Sequence, residues 1–396
     1  MKNVIWRLFL LPSTYGLTVW VTLLFALNLD FVQVNISMEA YLVYFYVVLC
    51  FAASTRLSLW LTKNISAKNI GKQIVKTRTD LLIFCVSTVL GLFGLLLYVY
   101  DFSKFLGGIE GFILAFFINP LTIRELAYDE TSAGFQLSYF SWISIYFCLC
   151  YLICGRAKNR FLMLGLVALI LIQFSLNLMF IDRTRPITVF LVCALSWILL
   201  NAGRISNPLK PISYVVLGPL VIFFAQALFS EKFDKDAGLF NNFLVYLLGS
   251  FGYFSALIED FVPRYEMVRT FYPLSKIVAA MGFPLSVPSQ ILEFKSIPFL
   301  TNVGTFMESL YMDGGLLFVY LFVPIIIFGI DILGICALKS RTLYGLYFWA
   351  MLISVNLFSF FGPKFNAVYF YLFGFIFMLS LAARLRPFVV PRPFPS

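Results

Sequence analysis

The chain has 396 residues, of which 61% are hydrophobic and 12% charged, with a formal net charge of +10 and no histidine. So little polar surface cannot coat a water-soluble globule of this size, so a soluble fold is excluded and lipid is the expected solvent. The missing histidine also excludes catalysis by an imidazole base.

Lys2 and Arg7 precede an apolar run that mimics a secretory signal. The run is long, interrupted by Pro12 and without a small-x-small cleavage site, so a retained first span is expected. Apolar stretches of about 20 residues then recur to the end of the chain, each long enough for a helix to cross about 30 Å of hydrocarbon. They predict an all-α, polytopic integral membrane protein, one domain over 1–396. About ten transmembrane helices are expected, near 8–28, 40–61, 81–100, 135–154, 161–181, 187–202, 211–229, 314–336, 343–360 and 367–382.

Alternate loops set the orientation, because basic residues collect on the cytoplasmic side. The N-terminus, 62–80, 155–160, 203–210, 337–342 and the C-terminal tail hold 17 basic residues against one acid, Asp80, with a second, Asp331, counted to this side from the adjoining span. The opposite set holds 11 basic residues and 17 acids, so both termini are expected in the cytoplasm. Asp331 is read as lying near a span end, and Arg56 as an interfacial anchor. The stretch 104–130 is apolar but broken by Gly107, Gly108, Glu110, Gly111 and Pro120, which predicts a re-entrant or interfacial segment. The longest polar stretch, 230–313, precedes the third-last span; it is expected on the far side, partly membrane-associated, and as the active-site region. All seven cysteines lie in apolar stretches, which argues for packing over disulfides or metal.

Three clusters carry candidate chemistry. In Asp182-Arg183-Thr184-Arg185-Pro186 the proline is expected to hold Arg185 extended, so that Arg183 and Arg185 point the same way and clamp a pyrophosphate. In Glu259-Asp260-Phe261-Val262-Pro263-Arg264-Tyr265-Glu266-Met267-Val268-Arg269, Arg264 and Arg269 are candidate anion ligands. One acid of this stretch, which includes the candidate catalytic residue Glu259, is read as a general base with a pKa raised by burial. Asp234-Lys235-Asp236 has the spacing of a metal-binding pair, but two carboxylates two apart are common in polar loops, and no metal or other cofactor is assigned.

The stretch Thr301-Asn302-Val303-Gly304-Thr305-Phe306-Met307-Glu308-Ser309-Leu310-Tyr311-Met312-Asp313-Gly314-Gly315 resembles the pattern ahead of a late span in Wzy-type O-antigen and oligosaccharide repeat-unit polymerases. Gly304 stands where that family often has an aromatic residue, and Gly314 where Phe is usual. The Arg183 and Arg185 segment is similar to the arginine-containing turn of those enzymes. The resemblance implies a metal-independent glycosyltransferase of the bacterial inner membrane that takes undecaprenyl-pyrophosphate-linked oligosaccharides as donor and acceptor. For that task the residues present suggest catalytic roles for Arg183, Arg185, Glu259, Arg264 and Arg269, and substrate contacts for Tyr265, Tyr272, Lys276, Asn302 and Tyr311. Membrane lipids and a chain-length regulator are the further partners it suggests, and nucleic acid is not among them. An O-antigen ligase and a lipid-linked oligosaccharide flippase are the alternatives.

Overall fold

The computed structural model describes residues 2–29, 34–63, 70, 73–74, 77–119, 122–123, 126, 132–153, 159–180, 184–205, 209–229, 238–288, 293, 295–296 and 300–385. Arg183 and the Asp234-Lys235-Asp236 motif lie outside them. In chain order the helices are α1 (Lys2–Phe9), α2 (Pro12–Leu27), α3 (Met38–Leu61), α4 (Arg78–Phe105) and α5 (Ile109–Ile118). There follow α6 (Ala133–Leu137), α7 (Phe140–Ile153), α8 (Arg160–Leu178), α9 (Thr184–Leu200) and α10 (Leu209–Phe229). The last are α11 (Gly238–Asp260), α12 (Tyr272–Ala280), α13 (Glu308–Lys339), α14 (Leu343–Leu357) and α15 (Val368–Leu385). A two-residue antiparallel pairing joins Lys295–Ser296 to Leu300–Thr301.

Among the described residues, five helical stretches are long and apolar enough to cross a membrane: α3, α4, α6 with α7, α8 and α13. The architecture is that of an all-α membrane protein, and the burial pattern is inverted relative to a soluble one. On α4 the large side chains Leu82, Val89 and Leu96 are exposed, seven positions apart on one stripe. The opposite stripe carries Ser87, Gly91, Gly94 and Tyr98, which are buried. A Cβ on Gly91 would fall 2.5 Å from the Ser141 backbone nitrogen, and one on Gly94 2.5 Å from the Leu137 carbonyl carbon. Small residues thus let α4 seat directly on α6 and α7, the packing that lipid-embedded helices use in place of a hydrophobic drive. Polar side chains join the same helices: Thr88 to Ser144 at 2.8 Å, Gln173 to Ser144 at 3.0 Å and Asn177 to Ser141 at 2.8 Å.

The centre of the bundle is α14, apolar on all sides and buried from Leu343 to Asn356. It packs on α2, α9, α13 and α15. Near it, Asp331 of α13 is fully buried rather than placed at a span end. It accepts the Ser13 N–H (2.8 Å) and the hydroxyls of Ser13 (2.6 Å), Ser54 (2.8 Å) and Ser58 (2.9 Å), so one carboxylate ties α2, α3 and α13 together.

Two further stretches take helical form in part. In 230–313, α11 occupies 23 residues and reaches the start of α3, where the Ser37 N–H donates to Ser255 Oγ at 2.8 Å. In 104–130, α5 is a ten-residue helix with Glu110 in its first turn. At 1.5 Å per residue it covers about half the hydrocarbon thickness.

The helix ends sort into two groups. At one end Asp80 closes a capping box with Thr77 on α4 and accepts the Tyr344 N–H of α14 at 3.0 Å. Among the described residues that end gathers Arg7, Lys63, Arg78, Arg160, Arg204, Lys210, Lys339 and Arg341. The other end mixes signs, with Glu39, Asp101, Glu110, Glu259, Asp260, Glu266, Glu308 and Asp313 among Lys104, Arg264, Arg269, Lys276, Lys295 and Lys364.

Candidate functional site

The site grows from a break in α13. Gly314 (φ −149°, ψ 18°) and Gly315 (φ 64°, ψ −160°) leave helical geometry. Gly315 is in the left-handed region that costs glycine least. From Leu316 to Lys339 the helix is about 36 Å long, enough to span by itself, so Glu308–Asp313 stands outside the spanning part.

Freed from the helical ladder, the carbonyls of Met312 and Asp313 accept the N–H groups of Arg264 (3.1 Å) and Glu266 (2.8 Å). These bonds flank Tyr265 and hold it at φ 55°, a conformation that costs an L-residue about 1 kcal/mol. The Asp313 carboxylate then accepts the N–H of Arg269 (3.2 Å) and of Thr270 (2.6 Å). From the link between α14 and α15, Asn366 Nδ2 donates to the Arg269 carbonyl at 2.8 Å. Clamped on both sides, this segment presents Arg269 to a cavity of about 280 Å³. Lys364 enters from the α14–α15 link and Glu308 from the first turn of α13. Thr184, Tyr272, Ser309 and Asn366 add polar groups, and Phe135, Tyr139 and Tyr369 form an aromatic wall.

Glu308 is buried, 6% exposed, and accepts the Gly304 N–H. Its Oε2 has no hydrogen-bond partner among the described residues. A side chain on residue 304 would collide with that oxygen, which accounts for glycine there. Burial pushes the Glu308 carboxyl up to about 8, against the opposing pull of Lys364 and Arg269. Burial likewise lowers Arg269, with Arg264 adding to the effect and Asp313 and Glu308 opposing it. Asp313 is raised by desolvation and held back mainly by its bonds to Thr270 and Arg269.

Of the residues singled out from sequence, Arg269 and Tyr272 line the cavity. Arg185 does not. Its segment is helical from Thr184 on, because Pro186 falls in the first turn of α9, where proline is tolerated. The side chain is 1% exposed and enclosed by aromatic rings. Its guanidinium carbon lies 3.9 Å from the centroid of Phe180, 4.2 Å from Phe135 and 4.3 Å from Tyr139. It donates to Ser138 Oγ at 2.7 Å and the Phe135 carbonyl at 3.3 Å. Arg185 therefore supports two rings of the cavity wall from behind and has no route to a phosphate in the cavity.

Glu259 is exposed at the end of α11 and does not line this cavity, so the burial expected of it is missing. Arg264 and Tyr265 are also exposed and do not line the cavity; the Arg264 N–H is bonded to the Met312 carbonyl. Lys276 is exposed beside the Tyr272 ring, 5.0 Å from its centroid. Asn302 is half-buried away from the cavity. Tyr311 is buried and donates to the Ile258 carbonyl at 3.1 Å, which fastens α11 to α13. Glu308 and Lys364 were not singled out. The available signals were an acid just ahead of the late apolar run and a lone lysine after Pro363 between the last two spans.

Two cations flanking a half-buried cavity suit phosphate oxygens, which Arg binds bidentately and Lys as a point charge. A buried carboxyl between them can exchange a proton near neutral pH. No family model matches the sequence, and neither a curated protein nor a solved structure matches it.

Proposed function

We propose that this chain is a membrane glycosyltransferase that polymerises undecaprenyl-pyrophosphate-linked oligosaccharide repeat units into O-antigen or a related surface polysaccharide. It would act at the periplasmic face of a bacterial inner membrane. The observation that carries this reading is the convergence of Arg269, Lys364 and Glu308 on one cavity at the mixed-charge end of the bundle.

The opposite end is almost purely basic among the described residues, which by the positive-inside trend is the cytoplasmic one. In this reading ten segments span: α2, α3, α4, α6 with α7, α8, α9, α10, α13, α14 and α15. Both termini are then cytoplasmic, and 230–313, with α11 and α12, belongs to the periplasmic side. The lipid tail of each substrate stays in the bilayer while its pyrophosphate reaches Arg269 and Lys364.

A terminal hydroxyl of the incoming repeat unit attacks the anomeric carbon of the growing chain, with inversion. The new C–O bond forms as the bond to the pyrophosphate oxygen breaks, and undecaprenyl pyrophosphate departs with the electron pair. Arg269 and Lys364 stabilise the charge that develops on it, the role a divalent ion fills elsewhere. Tyr139, Tyr369 and Phe135 offer flat apolar surface to sugar rings. Holding both lipids at one surface contributes through proximity.

A flippase would use a charge inside the membrane. The interior carboxylate of this bundle, Asp331, spends its oxygens on serine donors. The glycan ladder of a deletion strain tests the proposal: one repeat unit on the surface supports a polymerase, no transfer to lipid A core indicates a ligase, and no export a flippase. Complementation with Arg269→Ala should lower polymer formation about 10²- to 10³-fold, the usual effect of deleting one charge-stabilising donor. Ladders of ordinary length from that variant would overturn the assignment.

A further inference from the structure

We infer that the Glu308 carboxylate is the group that takes the proton from the attacking sugar hydroxyl, a role that rests on the polymerase reading above. Glu308 faces the cavity with Arg269 and Lys364, and its Oε2 is buried without a hydrogen-bond partner among the described residues. The carboxyl lines the cavity together with two cations, and native folds seldom leave a buried polar oxygen unmatched without a use for it.

Among the described residues, the other acids nearby are committed or absent from the cavity. Asp313 gives its two oxygens to the N–H groups of Arg269 and Thr270. Glu259 and Glu266 are exposed and line no part of it. The phenols of Tyr139, Tyr272 and Tyr369 are poor bases at neutral pH. Two further features preserve the arrangement. Gly304 leaves the space that Oε2 occupies, and the Phe306 N–H donates to the Ser359 carbonyl at 2.8 Å, which fixes the turn leading into Glu308.

The proton balance is complete within the site. As the hydroxyl oxygen bonds to the anomeric carbon its proton passes to Glu308, and the leaving pyrophosphate takes the electron pair of the broken bond. The carboxyl then returns the proton to water. The groups facing Glu308 are Lys364 from the α14–α15 link, Arg269 from the segment after α11 and Tyr253 from α11, with Asp313 a turn further along its own helix. Both cations favour the carboxylate and burial favours the acid, so its apparent value falls near 8, close to working pH, where a general base is most effective.

The test uses full-length protein in liposomes, supplied with lipid-linked repeat units extracted from a strain deleted for the gene, with polymer read on gels between pH 6 and 9. The wild-type rate should rise about tenfold per pH unit and level off near 8. Glu308→Gln should lose at least about 10²-fold and show no such rise, whereas Glu308→Asp should retain the rise at a reduced rate. A wild-type rate that is flat or falls through this range overturns the assignment, as does a Glu308→Gln rate within threefold of wild type. Polymer would still form in either case, leaving the polymerase reading intact. Absence of polymer from the wild-type protein would instead remove that reading and this role with it. Should the Gln variant not fold, the wild-type profile and the Asp variant decide.

Discussion

Exchanging Glu308 for Gln should change how stability depends on pH, in a direction opposite to that of an ordinary surface carboxylate. The folded protein raises this carboxyl from its usual 4.5 to about 8, so the fold holds the proton more tightly than the unfolded chain does. The stability this provides is fully present below about 4.5, declines as pH rises, and is gone above about 8. At about 1.4 kcal/mol per pH unit, the full window is worth on the order of 5 kcal/mol. Gln keeps the shape and never ionises, so the variant lacks the decline. With an unfolding entropy of about 2 cal/mol/K per residue, the difference corresponds to a Tm gap of roughly 6 °C. The chain has no histidine to titrate in this window and six tryptophans to report unfolding. Tryptophan fluorescence melts in detergent should give matching Tm values near pH 5 and a variant more stable by several degrees at pH 8.5. A gap that does not move with pH would refute the assignment of a buried, proton-holding Glu308.

Arg185→Ala should lower stability by about 3 kcal/mol, since it removes two hydrogen bonds and the contacts to three rings. Arg185→Lys should recover less than half of this in melting experiments, because an ammonium cannot fork between Ser138 and Phe135. Asp331→Ala strands the Ser13 N–H and three hydroxyls and should cost about 2 to 4 kcal/mol, with Asp331→Asn losing clearly less, by the same melts. Gly315→Ala places a Cβ 3.1 Å from Pro263 at φ 64°. It should cost about 1 to 2 kcal/mol and lower polymer yield more than membrane insertion, both measurable in the deletion strain.

Hydropathy alone located the helices well. The helix expected from 40 begins at Met38, and the one expected from 211 begins at Leu209. Length and apolarity are local properties, so one stretch of chain suffices to read them. The late helix shows the limit: the apolar run marks its spanning part, but Glu308–Asp313 ahead of the Gly314–Gly315 break reads as loop because its residues are mixed in polarity. The site was harder still. Arg269 stood out as a guanidinium in an acid-rich stretch, whereas Lys364 and Glu308 acquire meaning only once α13 and the α14–α15 link meet. Arg185 misled for a similar reason. Its cage comes from α6, the two residues between α6 and α7, and the chain after α8, and no spacing within Asp182–Pro186 announces that.

The position of α14 bears on how the protein is made. The most enclosed helix of the bundle follows two of its main partners, α2 and α9, by a long stretch of chain. The Trp349 indole donates to the Leu10 carbonyl, and Trp20 to Ser359, each across 339 positions. Until α14 arrives, the inward faces of α2 and α9 have only lipid, translocation machinery or a helper protein against them. By contrast α4, α6, α7 and α8 meet their neighbours within one short length of chain and can assemble early. A premature stop after α13 would therefore leave a product whose early portion is assembled and whose centre is empty, a ready substrate for membrane quality control.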